Sequence, residues 1–389
     1  MHRSARRLRF FPFLPGDLAE VRSAEEILST LDGEGRLEGA PFMPEMLAYC
    51  GRRFEVLRRA DKTCAPDQSI RRLRNTVLLK ELRCDGSAHG GCEAGCLFFW
   101  KEQWLKRPQA SGRATPNLTD ADKKDDCPRN FPSAGYARAL RAVEQATRTA
   151  SITREGAVRE RFSCQTTEVA RFTTFLPWWD PRQYVRDVAS KNVTFGDLWR
   201  GILIGARNKL ACARGRPDVR MVAGDNIRTP RQNLDLQPGD LVQVKSREDI
   251  GQTLNSSGKN RGLRFSPGMV GYCEKEFRVL RRVNKIIDEK TGEMISLKTG
   301  CVILEGAVCP PSARRFCPRM VYQYWRDVWL KKLEQPTAEI PAAAAVAAAA
   351  RAQAPSITTL APEPIPLTLA AQVKPPAVSP GAPRIREAP

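Results

Sequence analysis

The chain carries the same stretch of sequence twice, and an internal duplication constrains a fold strongly, because both copies must suit one backbone. Gly16-Asp17-Leu18 recurs as Gly239-Asp240-Leu241, 223 residues later. In that register Val21 meets Val244, Ser23 meets Ser246, Ile27 meets Ile250, and Thr30-Leu31 meet Thr253-Leu254. Phe42 falls on Phe265, Tyr49-Cys50 on Tyr272-Cys273, and Val56-Leu57-Arg58-Arg59 on Val279-Leu280-Arg281-Arg282. After Lys62 and Lys285 the offset becomes 225, as if the second copy had gained two residues in a loop, where insertions are best tolerated. The register then resumes with Cys84/Cys309, Ser87-Ala88/Ser312-Ala313 and Cys92/Cys317. It closes on Trp100 and Trp104-Leu105-Lys106 against Trp325 and Trp329-Leu330-Lys331.

Within each copy the pattern is mostly strand. The turn Gly16-Asp17 leads into the alternating Leu18–Ser23, and Arg53–Arg58 and Thr76–Leu82 read as two further strands. Ala24–Leu31 has apolar residues at helical spacing. A closing helix is expected from Cys92 to Lys106, with Trp100 and Trp104 four residues apart on one face. The opening Gly239-Asp240-Leu241-Val242-Gln243-Val244, with the later Pro267-x-Met269-x-x-Tyr272-Cys273 turn into a strand, resembles small SH3-like barrels of the nitrile hydratase beta-subunit and KOW type. The resemblance covers the two modules only. It implies a fold class and carries no cofactor or catalytic residue with it. The expected architecture is therefore mainly β with appended helices, two tandem SH3-like barrel modules joined by a partly helical middle.

The segments follow as a basic N-terminal arm (1–15), module one (16–106), a flexible linker (107–135), a middle segment (136–238), module two (239–333) and an Ala/Pro-rich tail (334–389) expected to be disordered. In the middle, Tyr136–Thr147 reads as a helix, and Asp180-Pro181 as the start of another. The adjacent Trp178 and Trp179 are expected to plug the junction between the modules, since aromatics at junctions are usually core.

Chemistry concentrates in Cys84-Asp85-Gly86-Ser87-Ala88-His89-Gly90-Gly91-Cys92-Glu93-Ala94-Gly95-Cys96, a C-x4-H-x2-C-x3-C arrangement. Three thiolates and one imidazole suit tetrahedral Zn(II), and Cys92 and Cys96 would share a face of the expected helix. Gly86, Gly90 and Gly91 would let the backbone bring Cys84 and His89 round to meet them. An iron–sulfur cluster with one His ligand is the alternative, and plain packing of small apolar thiols the bland one. In module two the places of His89 and Cys96 hold Arg314 and Val321, so Cys309 and Cys317 bind nothing, borrow a ligand such as Cys301, or pack. Cys50 and Cys273, alike in both copies, read as core residues. Cys64, Cys127, Cys164 and Cys212 fit no pattern.

A formal charge of +20 favours nucleic acid or another polyanion as partner, with a protein partner also open. Arg52-Arg53, Arg58-Arg59, Arg71-Arg72 and Arg281-Arg282 lie on or beside expected strands, where alternation would turn one of each pair outward into a basic strip. No apolar run reaches the roughly 20 residues of a membrane span. With no secretory signal recognisable, a reducing cytoplasm is expected, an Arg-rich transit peptide being the competing reading of the first residues. No GxxxxGK[ST], GxSxG, HExxH or GxGxxG is present, and a closed Cys3His site leaves no open coordination position. These absences favour a zinc-stapled binding or scaffold protein over an enzyme. A metal-cluster or thiol-dependent enzyme or accessory factor is the alternative.

Overall fold

A computed structural model describes residues 11–108, 134–152, 158–215 and 221–334. The tail and most of the linker lie outside the described residues. Each module begins as its sequence predicts. Gly16 and Gly239 both take positive φ, at 85° and 92°, turning the chain into the strands Leu18–Val21 and Leu241–Val244. Ser23 then caps the helix Ala24–Leu28, completing a capping box with Glu26, and Ser246 caps Arg247–Gly251 in the same way through the Asp249 amide.

In module one the strands Leu18–Val21, Arg53–Arg59, Thr76–Leu79, Trp100–Lys101 and Leu105–Lys106 form one antiparallel sheet with the first strand between the second and the fifth. Module two repeats this order with Leu241–Val244, Glu276–Ile287, Met294–Val308, Tyr322–Trp325 and Leu330–Lys332. A register shift recurs at the same place, between Val56 and Arg58 and between Val279 and Arg281, bending the central strand alike in both copies. The chain is thus mainly β with a few helices. Among the described residues no pairing joins the fourth strand to the fifth, so each sheet stays open and the expected closed barrel is not formed.

The expected helix Cys92–Lys106 is also absent. Gly95 sits at φ 63°, which stops a right-handed helix, and the unbroken apolar run Leu97–Trp100 is buried as extended chain. A strand, a 3-10 turn at Glu102–Trp104 and a second strand take its place. That turn still brings both indoles to one ring, with Phe42 meeting Trp100 edge-on at 6.5 Å and Trp104 at 5.2 Å. Phe265 does the same with Trp325 and Trp329, at 6.2 and 5.4 Å. Trp104 donates to Thr30 and Trp329 to Thr253, so the paired threonines of the repeat are the hydrogen-bond partners of the paired indoles.

The middle segment supplies helices Ala134–Ala146, Arg182–Ala189 and Phe195–Ala213 and a hairpin of Arg148–Ile152 with Val158–Phe162. The second helix starts one residue later than expected, with Pro181 as its cap residue, and Asp180 accepts from the Arg182 amide just before it. Trp178 and Trp179 are not core: they are 60% and 68% exposed, held outward by the turn before that cap. Among the described residues no helix is long and apolar enough to cross a membrane.

Candidate metal centre

The cysteine loop of module one is shaped by its glycines. Gly86, Gly90 and Gly91 all have positive φ, and a Cβ on Gly86 would lie 2.1 Å from the Cys92 carbonyl oxygen. The loop closes through the Cys84 amide on the Cys96 carbonyl at 2.8 Å and the bridge between Arg83 and Leu97. Cys92 and Cys96 are therefore brought together by a folded loop and not by one turn of helix.

His89 is 1% exposed, and its Nδ1 lies 2.8 Å from Glu45 Oε1 and 3.9 Å from Cys84 Sγ. Its Nε2 has no hydrogen-bond partner although it is buried. A carboxylate on one ring nitrogen and a free second nitrogen is the arrangement by which proteins orient a metal-ligating histidine. Glu45 comes from the 3-10 segment Pro44–Tyr49, and sequence reasoning did not find it. Its place in module two is Gly268, so the acid and the histidine are lost together there. Among the described residues, Glu45, Cys84 and His89 are the group whose donor atoms lie within 4.8 Å of one another. The expected four donors, Cys84, His89, Cys92 and Cys96, are neighbours but do not converge to that spacing.

They open instead on a cavity of about 1190 Å³ between the two modules. Its walls include Cys64, Cys84, Cys92, Cys96, Cys164, Cys309 and His89. Cys164, from the loop after the middle hairpin, lies close enough for its charge to act on Cys84, Cys92 and Cys96. Burial pushes all three of those thiols up, Cys96 to about 12, and neighbouring anionic groups add to the effect. Such a set is held as thiolates only when a cation shares the site.

A second thiol group adjoins the same cavity. The Cys64 amide donates to Cys317 Sγ at 3.2 Å, and Arg319 reaches the Cys64 carbonyl at 3.2 Å and its sulfur at 3.9 Å. The Cys64 thiol is drawn down, chiefly by the hydrogen bond with Cys317 and further by Arg319, and the same hydrogen bond together with burial pushes the Cys317 thiol up. Cys301 takes no part: it is buried in a separate apolar cluster, with its thiol on the Val283 carbonyl. Cys50 and Cys273 pack against the two module cores.

The arginine pairs hold internal partners. Arg59, 1% exposed, pairs with Asp61 and Glu102, Arg53 with Glu20, Arg72 with Asp180 and Arg282 with Asp327. Arg58, Arg71 and Arg281 donate to the carbonyls of Asn192, Thr173 and Glu93. These seven arginines thus have a partner within the fold, Arg72 with its side chain still 39% exposed. Comparison of the chain with protein-family models, with curated proteins and with solved structures finds no match.

Proposed function

We propose that this chain is a metalloprotein whose two modules clasp a thiolate-bound metal cluster of the iron–sulfur type in the cavity between them. The observation that carries the reading is the donor set. Cys84, Cys92, Cys96, Cys164 and His89, whose Nε2 has no partner, line one cavity; they are more donors than one tetrahedral zinc takes, and Cys92, Cys96 and Cys164 stand outside the group whose donors lie within 4.8 Å of one another. A polynuclear cluster takes its thiolates at separate metal atoms and accommodates that spread. Such a cluster supplies electron transfer or a Lewis-acidic metal, and the remaining cavity leaves room for a small substrate beside it. Each module is read as an open relative of the SH3-like barrels, supported by the fifth–first–second–third–fourth strand order and the 3-10 turn before the last strand.

Anaerobic purification of the full chain, followed by iron and acid-labile sulfide analysis and visible spectroscopy, tests the reading. Iron and sulfide should be bound, and should fall sharply in Cys84→Ser, Cys92→Ser and Cys96→Ser but not in Cys50→Ser. The compactness of Glu45, Cys84 and His89 favours a second reading, one structural zinc ion. One zinc per chain with no sulfide would establish it and sink the cluster.

A further inference from the structure

Cys64, Cys309 and Cys317 are not among the ligands of that centre. Cys309 and Cys317 occupy in module two the places of Cys84 and Cys92, but Arg314, Val321 and Gly268 replace His89, Cys96 and Glu45. By itself module two has half a site.

The missing thiol comes from module one. Cys64 pairs with Ile70 at the end of its hairpin as Ile287 pairs with Met294 in module two, so Cys64 and Ile287 hold equivalent strand positions. Each meets the cysteine loop of the other module. The Ile287 amide donates to Cys92 Sγ at 3.4 Å, and the Cys64 amide donates to Cys317 Sγ at 3.2 Å. The two modules therefore exchange the same contact reciprocally. Where module two offers the first centre an aliphatic side chain, module one offers the second group a thiol. Cys64 and Cys309 line the cavity, and Cys317 lies buried against Cys64. Arg319, buried and paired with Glu289, holds a guanidinium beside this group, where it offsets anionic charge.

We propose that Cys64, Cys309 and Cys317 form a second iron–sulfur-type centre, assembled from both modules, with three protein ligands and one coordination position open to the cavity. It rests on the cavity reading above but uses none of the ligands of the first centre. Three thiolates leave one metal atom of a cluster without a protein ligand, which is where a small substrate with an oxygen, nitrogen or sulfur donor would bind.

The test is iron and sulfide content per chain, measured on anaerobically purified full-length protein. Cys64→Ser/Cys309→Ser/Cys317→Ser should keep about half of the wild-type content, and Cys84→Ser/Cys92→Ser/Cys96→Ser about the other half. Full content in the first variant overturns this proposal and leaves the first centre standing. Full content in the second overturns the first centre instead. Because a triple variant can misfold, thiol alkylation of the unmodified holoprotein, mapped by mass spectrometry before and after metal removal with a chelator, gives a second readout. Cys309 should be protected before and modified after. Modification of Cys309 in the holoprotein while Cys84 and Cys92 stay protected means that these three cysteines only pack.

Discussion

Glu45 and His89 show how much rests on single side chains. The histidine has no water-facing edge, so the orientation of its ring is set by the carboxylate at 2.8 Å. Glu45→Gln preserves the shape of the contact and removes its charge. Metal affinity should fall by about 10- to 100-fold, measured by competition with a chromogenic chelator, while the far-UV dichroism stays unchanged. Unchanged affinity would mean that the acid serves packing alone. At this scale the sequence was partly legible. Cys84, His89, Cys92 and Cys96 stand out because they crowd into one loop. Glu45, Cys64 and Cys164 do not, because each is remote in the chain: other elements bring Glu45 to His89 and Cys64 and Cys164 to the cavity.

Among the elements, the helix Arg182–Ala189 is fastened to module one by a buried ion pair, Lys62 Nζ to Asp187 Oδ2 at 2.6 Å. Burial pushes the Asp187 carboxyl up to about 6, against the opposing pull of Lys62, and the same burial lowers Lys62. An unfolded-chain aspartate titrates near about 3.9. Between about pH 4 and pH 6 the folded state therefore keeps a proton that the unfolded state has released, and this group's contribution to stability declines as the pH rises. Asp187→Asn lacks that term. The stability of the wild type relative to the variant, from urea unfolding, should drop across this interval, and parallel pH profiles would refute the assignment. Elements were the most legible scale where local signals agree, as at the strands Leu18–Val21 and Arg53–Arg59, whereas Ser23, expected to end the first strand, caps the helix after it. The misread helix Cys92–Lys106 has a local cause. Two tryptophans four residues apart imitate a helical face, but a strand followed by a 3-10 turn places them against one ring equally well.

For the whole molecule the decisive feature is the reciprocal contact of the modules. Glu93 is its clasp, its carboxylate accepting from the amides of Asn284 and Lys285, while its carbonyl accepts from Arg281. Lys285 returns the contact by donating to the Gly90 carbonyl at 2.8 Å. Glu93→Ala should loosen this seam and leave each module core intact. Hydrogen exchange should speed up at Asn284–Ile287 by about tenfold or more, with the amides of Val21 and Val244 still protected. Equal acceleration in the cores would show that the modules are not separable units of stability.

The sequence by itself determined the duplication, the shared strands, and the loop in which metal-ligand residue types cluster. These are local properties, set by the spacing of residues within one copy and by their recurrence in the other. Only the tertiary structure decided that the two cysteine loops face one cavity, that Cys64 and Cys164 join its walls, and which partners the paired arginines take within the fold. Those outcomes depend on how two like modules pack against each other. No periodicity within either copy encodes that packing, because the surfaces that meet belong to residues 195 and 253 positions apart.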